Sequence, residues 1–330
     1  MRRVVAVALA GLMSLAALLA ATRSAALGPY PDLGGCPVFP APPTSLPANA
    51  PSLPTEAAWN QDVSHAPVAP NSAATIAYVD SHGGDHLHPD FGSPRAYGFP
   101  YAVVGAGQPK LPIHYTAYGD ESDPGPFPIP RHAPVEGGNR SDGDRHALVV
   151  DRSSCTLYEL YRAFFKRGPH PHWNADSGAS WNLRSASRRP DSWTSADAAG
   201  LPIFPGLLRY DEVASGHVGH AVRLTFDSTR DAWIHPASHC AGDTSDPNAP
   251  AMGTRLRLKP SYPLRGFSGP ARTIAIALKR YGAIVADNGS NWYFGGSSDR
   301  RWDDSNLDQL KRIPGSAFQV VKSAAAVHTC

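Results

Sequence analysis

The sequence predicts a mainly β fold: a β-sandwich, jelly-roll-like or barrel-like single domain with two or so short helices. Three observations predict it. The 330 residues include 33 prolines and 30 glycines, too many for long uninterrupted helices. Short β-branched and aromatic runs recur between Pro/Gly turns. Only two stretches combine helical periodicity with start and stop signals.

In chain order, 101–104 reads as a strand ended by Gly105, and 111–116 alternates. The β-rich runs 146–151 and 156–161 flank the polar turn Arg152-Ser153-Ser154, which predicts a hairpin. Residues 220–226, 254–258, 283–286 and 318–321 complete the strands. Residues 268–281 form the better helix. Ser268 is placed to cap it, Pro270 suits its first turn, Ile274, Ala277, Leu278 and Tyr281 share a face, and Gly282 stops it. A shorter helix, 305–312, is closed by Pro314-Gly315.

Arg2 and Arg3, the apolar run 4–21 and the small residues Ser24-Ala25-Ala26 predict a secretory signal over 1–26, with a membrane anchor as the rival reading. Leu33-Gly34-Gly35-Cys36 resembles a lipoprotein box but lies well past the apolar run, so the match is read as chance. Residues 27–58 form a Pro-rich extended segment, 59–322 a β-rich globular domain and 323–330 a tail. Loss of Arg2, Arg3 and Arg23 with the signal takes the formal net charge from +2 to −1. That leaves no electrostatic footprint for nucleic acid, and no further apolar run is long enough for a membrane span. The expected location is secreted.

Cysteines 36, 155, 240 and 330 contain no CxxC, and an even number in an exported chain points to disulfides. Three pairings are open. Cys36 with Cys155 and Cys240 with Cys330 would tie both terminal segments to the body.

The G-x-S-x-G, P-loop and H-E-x-x-H patterns are absent. Four groups of residues carry possible chemistry. His86 and His88, in Asp85-His86-Leu87-His88-Pro89-Asp90, would share a face on an extended strand and offer a weak divalent-metal pattern; otherwise no cofactor is required. Asp144 and His146 open the hairpin, and Glu159 on its second strand, among Tyr158 and Tyr161, suits a general acid of raised pKa. Glu212 follows Asp211 and precedes Arg223; the plainer reading of that pair is an acidic first helical turn. Asp287, Asn288, Trp292 and Trp302 combine carboxylate, amide and aromatic faces, as a sugar site does.

The words 143–151, 157–160, 193–202, 207–213 and 280–290 are similar to a group of exported bacterial proteins common in actinobacteria and soil bacteria. The similarity spans about 59–322. It implies a bacterial, secreted setting and carries no reaction.

These residues favour a secreted carbohydrate-active enzyme, a glycoside hydrolase acting on a polysaccharide or cell-wall glycan. Glu159, Asp144, Glu212 and Asp287 are the candidate catalytic carboxylates. His146, Tyr158, Arg223, Asn288, Trp292 and Trp302 are the candidate substrate contacts. The alternatives are a polysaccharide lyase using Tyr158, His146 and Arg145, a non-catalytic glycan-binding protein, and a metal-dependent protein centred on His86 and His88.

Overall fold

The computed structural model describes residues 32–39, 55–93, 97–185 and 187–330. The expected signal, 1–26, and most of 27–58 lie outside the described residues. Gly34–Cys330 forms one compact unit.

The unit is mainly β. Its strands are β1 (His88–Pro89), β2 (Tyr101–Val104), β3 (Ile113–Tyr115), β4 (Ala147–Asp151), β5 (Thr156–Tyr161), β6 (Phe164–Lys166), β7 (His172–Ala175), β8 (Ser177–Asn182), β9 (Val222–Phe226), β10 (Arg230–Ile234), β11 (Ala251–Met252), β12 (Arg255–Leu258), β13 (Ala283–Asn288), β14 (Tyr293–Phe294), β15 (Phe318–Val320) and β16 (Val327–Thr329). The helices are α1 (Ser72–Ser81), α2 (Tyr210–Ala214), α3 (Gly269–Arg280) and α4 (Asp304–Leu307). A mixed six-stranded sheet runs β1-β14-β9-β13-β12-β15, and a four-stranded sheet runs β2-β4-β5-β8. Two three-stranded sheets, β3-β7-β6 and β11-β10-β16, complete the described framework.

The expected hairpin is β4–β5, with Leu148 opposite Glu159 and Val149 opposite Tyr158. Its turn is set by Asp151, whose carboxylate accepts from Ser153 N at 2.9 Å and from the hydroxyls of Ser153 and Ser154. Both faces of the hairpin are covered. Ala147, Val149 and Leu160 join Phe127, Ile129 and Trp173 in one apolar cluster, and Leu148 joins Phe99, Ala196, Ile203 and Leu207 in another. Glu159 therefore alternates into an interior rather than onto an open sheet face.

Helix α3 also forms where expected, and the reason it ends is visible. Gly282 has φ +70°, and a Cβ there would sit 2.0 Å from Leu256 O, so only glycine fits. The cap is different from the expected one. Ser268 makes no side-chain cap; Asn306, on α4, accepts from Ala271 N at 2.8 Å instead. Helix α1 has no counterpart in the sequence reading. Its buried face is Ser72, Thr75, Ile76 and Val79, at helical spacing but half of it hydroxylic, so the hydropathy pattern that marks a helix is muted.

The cysteines pair as Cys36–Cys155 and Cys240–Cys330. Cys36, the last residue of the lipoprotein-box match, is thus held in a disulfide. The buried Arg255 donates to Ala58 O and Gln61 O, and Arg257 donates to Val63 O, which pins the segment entering the domain against β12. No helix among the described residues is long and apolar enough to cross a membrane.

Candidate active site

A cavity of about 280 Å³ opens where the ends of the four-stranded sheet meet the C-terminal end of β13. The first wall supplies Asp144, His146, Tyr161 and Ser177, and the second Asp287 and Asn288. Residues 194–198 line it as well, with Tyr118, His239 and Ala241. The register of β13 against its parallel neighbour β9 shifts between Val285 and Asp287. Such an irregularity re-aims the side chains that follow, here at the cavity. A second cavity, of about 250 Å³ beside β10 and β15, has no acidic side chain in its lining.

Two buried ion clusters contribute His146, Asp197 and Asp287 to the lining of the first cavity. In one, His146 Nδ1 lies 2.5 Å from Glu136 Oε2 and Nε2 lies 2.9 Å from Ala196 O. Both partners are acceptors, so both ring nitrogens donate and the ring is an imidazolium. Burial opposes that charge, but Glu136 outweighs it and lifts the His146 pKa to about 9. Burial likewise pushes the Glu136 pKa up, and His146 reverses the shift to below the usual value.

In the other cluster, Arg223 Nη2 is shared by Asp197 Oδ1 at 2.6 Å and Asp287 Oδ2 at 3.3 Å. Asp197 is fully buried, and its Oδ2 has no partner. Asp287 is a quarter exposed. Burial, and then the Asp197 carboxylate, push the Asp287 pKa up to about 7, with Arg223 opposing. Two carboxylates with one guanidinium between them cannot both be charged cheaply, which is why the Asp287 pKa moves upward. Asp144, also in the lining, is exposed, with its Oδ1 3.5 Å from the Tyr161 hydroxyl.

Of the residues the sequence singles out, Asp144, His146, Asp287 and Asn288 line this cavity, and Arg223 lies directly behind it. The other candidates are elsewhere. Glu159 is fully buried and accepts from Ile203 N at 3.0 Å and Phe204 N at 2.9 Å. Burial raises its pKa to about 7, but the group ties down a 3₁₀ turn and does not line the cavity. Glu212 caps α2: it accepts from Arg209 N at 2.8 Å and pairs with the Arg209 guanidinium and with His220. Burial works against its charge, yet Arg209 and His220 hold its pKa below the ordinary value. The helical-turn reading of Asp211 and Glu212 is the correct one.

Tyr158 packs on Phe127, with ring centroids 4.9 Å apart, among the cluster on the far side of the hairpin. Trp292 and Trp302 are core residues at 0% and 3% exposure, with their indole N–H groups given to Asp80 and Ser297 O. Neither can stack on a sugar. Trp173 and Trp181 lie buried on β7 and β8. The lyase reading loses its base and its cation as well. His146 has no free lone pair, and Arg145 is spent on the carbonyls of Ala163, Gly138 and Ser141. His86 pairs with Asp85, His88 stacks on Tyr293 at 4.1 Å, and neither joins a group of three potential metal ligands among the described residues.

Three residues in or beside the cavity carry no signal of it in the sequence: Glu136, Asp197 and His239. Glu136 and His239 lie in stretches with no motif. Asp197 lies in the 193–202 word of the resemblance, but nothing local announces that it meets Arg223. Comparisons with protein-family models, with curated proteins and with solved structures give no match.

Proposed function

We propose that the protein is a secreted glycoside hydrolase whose active centre is the cavity between Asp144 and Asp287. The observation that carries this reading is Asp287: a carboxyl group, partly open to a polar cavity, whose pKa is pushed up to about 7 by burial and by the Asp197 carboxylate that shares Arg223 with it. A retained proton beside a leaving-group oxygen is what a general acid needs. Asp144, from the other wall, is the second carboxylate, serving as base or nucleophile. The fixed charge of His146 favours the ionised form of Asp287 once the proton has gone. Tyr118, Tyr161 and Asn288 supply the contacts for hydroxyls and for the ring face. Two disulfides suit an oxidising, extracellular setting, in line with the Arg-led apolar N-terminus.

The test is a panel of polysaccharides scored for reducing ends and for unsaturated products. New reducing ends without unsaturation, lost in Asp287→Asn and in Asp144→Asn, are expected. Turnover that survives Asp287→Asn would refute the assignment, and glycan retention with no release would replace the enzyme by a binding protein.

A further inference from the structure

The sequence points to metal at His86 and His88, and the structure assembles a better donor set elsewhere. Asp191, His235 and His328 each present a ligand atom, all within 4.8 Å of one another. His235 Nε2 is 3.0 Å from Asp191 Oδ1, and the two imidazole centroids are 5.5 Å apart. Donors of one tetrahedral ion at bond lengths of about 2.0–2.1 Å stand about 3.3 Å from each other; the His235–Asp191 pair already meets that spacing, and the remaining separations need to close by no more than about 1.5 Å. We propose that Asp191, His235 and His328 form a binding site for a divalent transition metal of the zinc type.

The site is prepared by parts of the fold that are distant in sequence. His328 sits on β16, opposite Trp233 of the antiparallel β10, and its ring stacks on that indole at 3.9 Å with a 7° tilt. The Cys240–Cys330 disulfide anchors the strand two residues further on. His235 follows β10 directly. Both rings are therefore held in place before any ion arrives, which lowers the ordering cost of binding. Two imidazoles and one carboxylate suit zinc, cobalt or nickel rather than calcium or magnesium. Asp191 is 53% exposed at its side chain, so water can complete the coordination. Arg188 Nη1, 3.5 Å from Asp191 Oδ1, competes for this carboxylate, and its side chain is partly exposed. The neighbouring set of Asp231, Cys240 and Cys330 offers no thiolate, because its sulfurs are joined.

Asp191 lies three residues before Thr194, where the chain begins to line the catalytic cavity. A metal here would clamp that segment to the C-terminal strand. This proposal stands apart from the glycosidase reading and does not need it.

The experiment is titration of the disulfide-intact protein with zinc chloride by calorimetry at neutral pH, with cobalt absorption as a second readout. One equivalent is expected, with a rise in Tm on adding zinc. His235→Ala and His328→Ala are each expected to weaken binding at least about tenfold, the loss seen even for outer-shell partners of metal ligands. Asp191→Asn, at an exposed position, is expected to do likewise, while His86→Ala changes nothing. Zinc affinity unchanged in His328→Ala and Asp191→Asn, or no stoichiometric binding by the unmodified protein, overturns the proposal.

Discussion

Glu159 and Asp287 carry the same label, a carboxyl group raised to about 7, and have different work. Glu159 is sealed at 0% exposure, and the hydrogen bonds it accepts come from the backbone of one turn. Asp287 is a quarter exposed, and its shift is enlarged by a second carboxylate. The comparison teaches that a raised pKa identifies burial first. Only a competing charge and an opening to a cavity turn it into a candidate for chemistry.

The largest expected effect tests the Asp287 side of that comparison. Asp287→Asn should lower turnover by about 10²–10⁴, the usual worth of a general acid, while Tm holds or rises because Asp197 no longer shares Arg223. A parallel collapse of Tm would make Asp287 as structural as Glu159. Glu159→Ala should do the reverse. It strands two buried N–H donors at about 1–3 kcal/mol each, so denaturant melts should show a loss of several kcal/mol. Glu159→Gln, which keeps an acceptor, should recover part of it, and no difference between the two variants would refute the backbone role.

Joint replacement of Cys240 and Cys330 by serine should cost about 2–4 kcal/mol in a chemical melt, since the bridge closes a loop spanning 90 residues. His239 and Ala241, which flank Cys240, line the cavity. A loss of stability with an unmoved pH profile of turnover is expected if the bridge only holds the C-terminal strand, and a displaced profile would mean that it also positions the cavity wall around Asp287.

The smallest effect per pH step is on stability. Glu159, Asp287 and His146 all have folded pKa values above their unfolded ones, so each contribution is complete below the unfolded value. It is lost as pH rises towards about 7 for the two carboxyls and about 9 for the imidazolium. Glu136 and Glu212 are shifted down, so theirs is present above the ordinary carboxyl value and lost as pH falls. Tm should therefore peak at mildly acidic pH and decline towards pH 9. Each titrating group contributes at most about 1.4 kcal/mol per pH unit. A Tm that climbs from pH 5 to 9 would contradict these assignments.

Part of the architecture was legible because its signals are short-ranged. The β4–β5 hairpin is announced by alternation around an Asp-anchored turn, and α3 by Pro270 and Gly282 within one amphipathic stretch. Helix α1 was not legible, since hydroxyl side chains on its buried face imitate a polar segment. The aromatic signal misled for a related reason. Six of the seven tryptophans are buried, although several stand among Gly, Ser and Asn, because small neighbours let the chain pack closely around an indole. Asp144, His146, Asp287 and Asn288 were found at the cavity because polar groups at strand ends are exposed to loops, where sites are built.

By itself the sequence determined the mainly β character, the position of the hairpin and of α3, and four of the polar residues that line the cavity. The tertiary structure alone decided their partners. His146 pairs across 10 residues with Glu136, and Arg223 across 26 with Asp197 and across 64 with Asp287. The metal-ligand group joins positions 191, 235 and 328. Alternation and turn formation depend on a residue and its immediate neighbours. The charge on a carboxyl depends on which groups approach through space and how much water they exclude, and only the folded chain sets that.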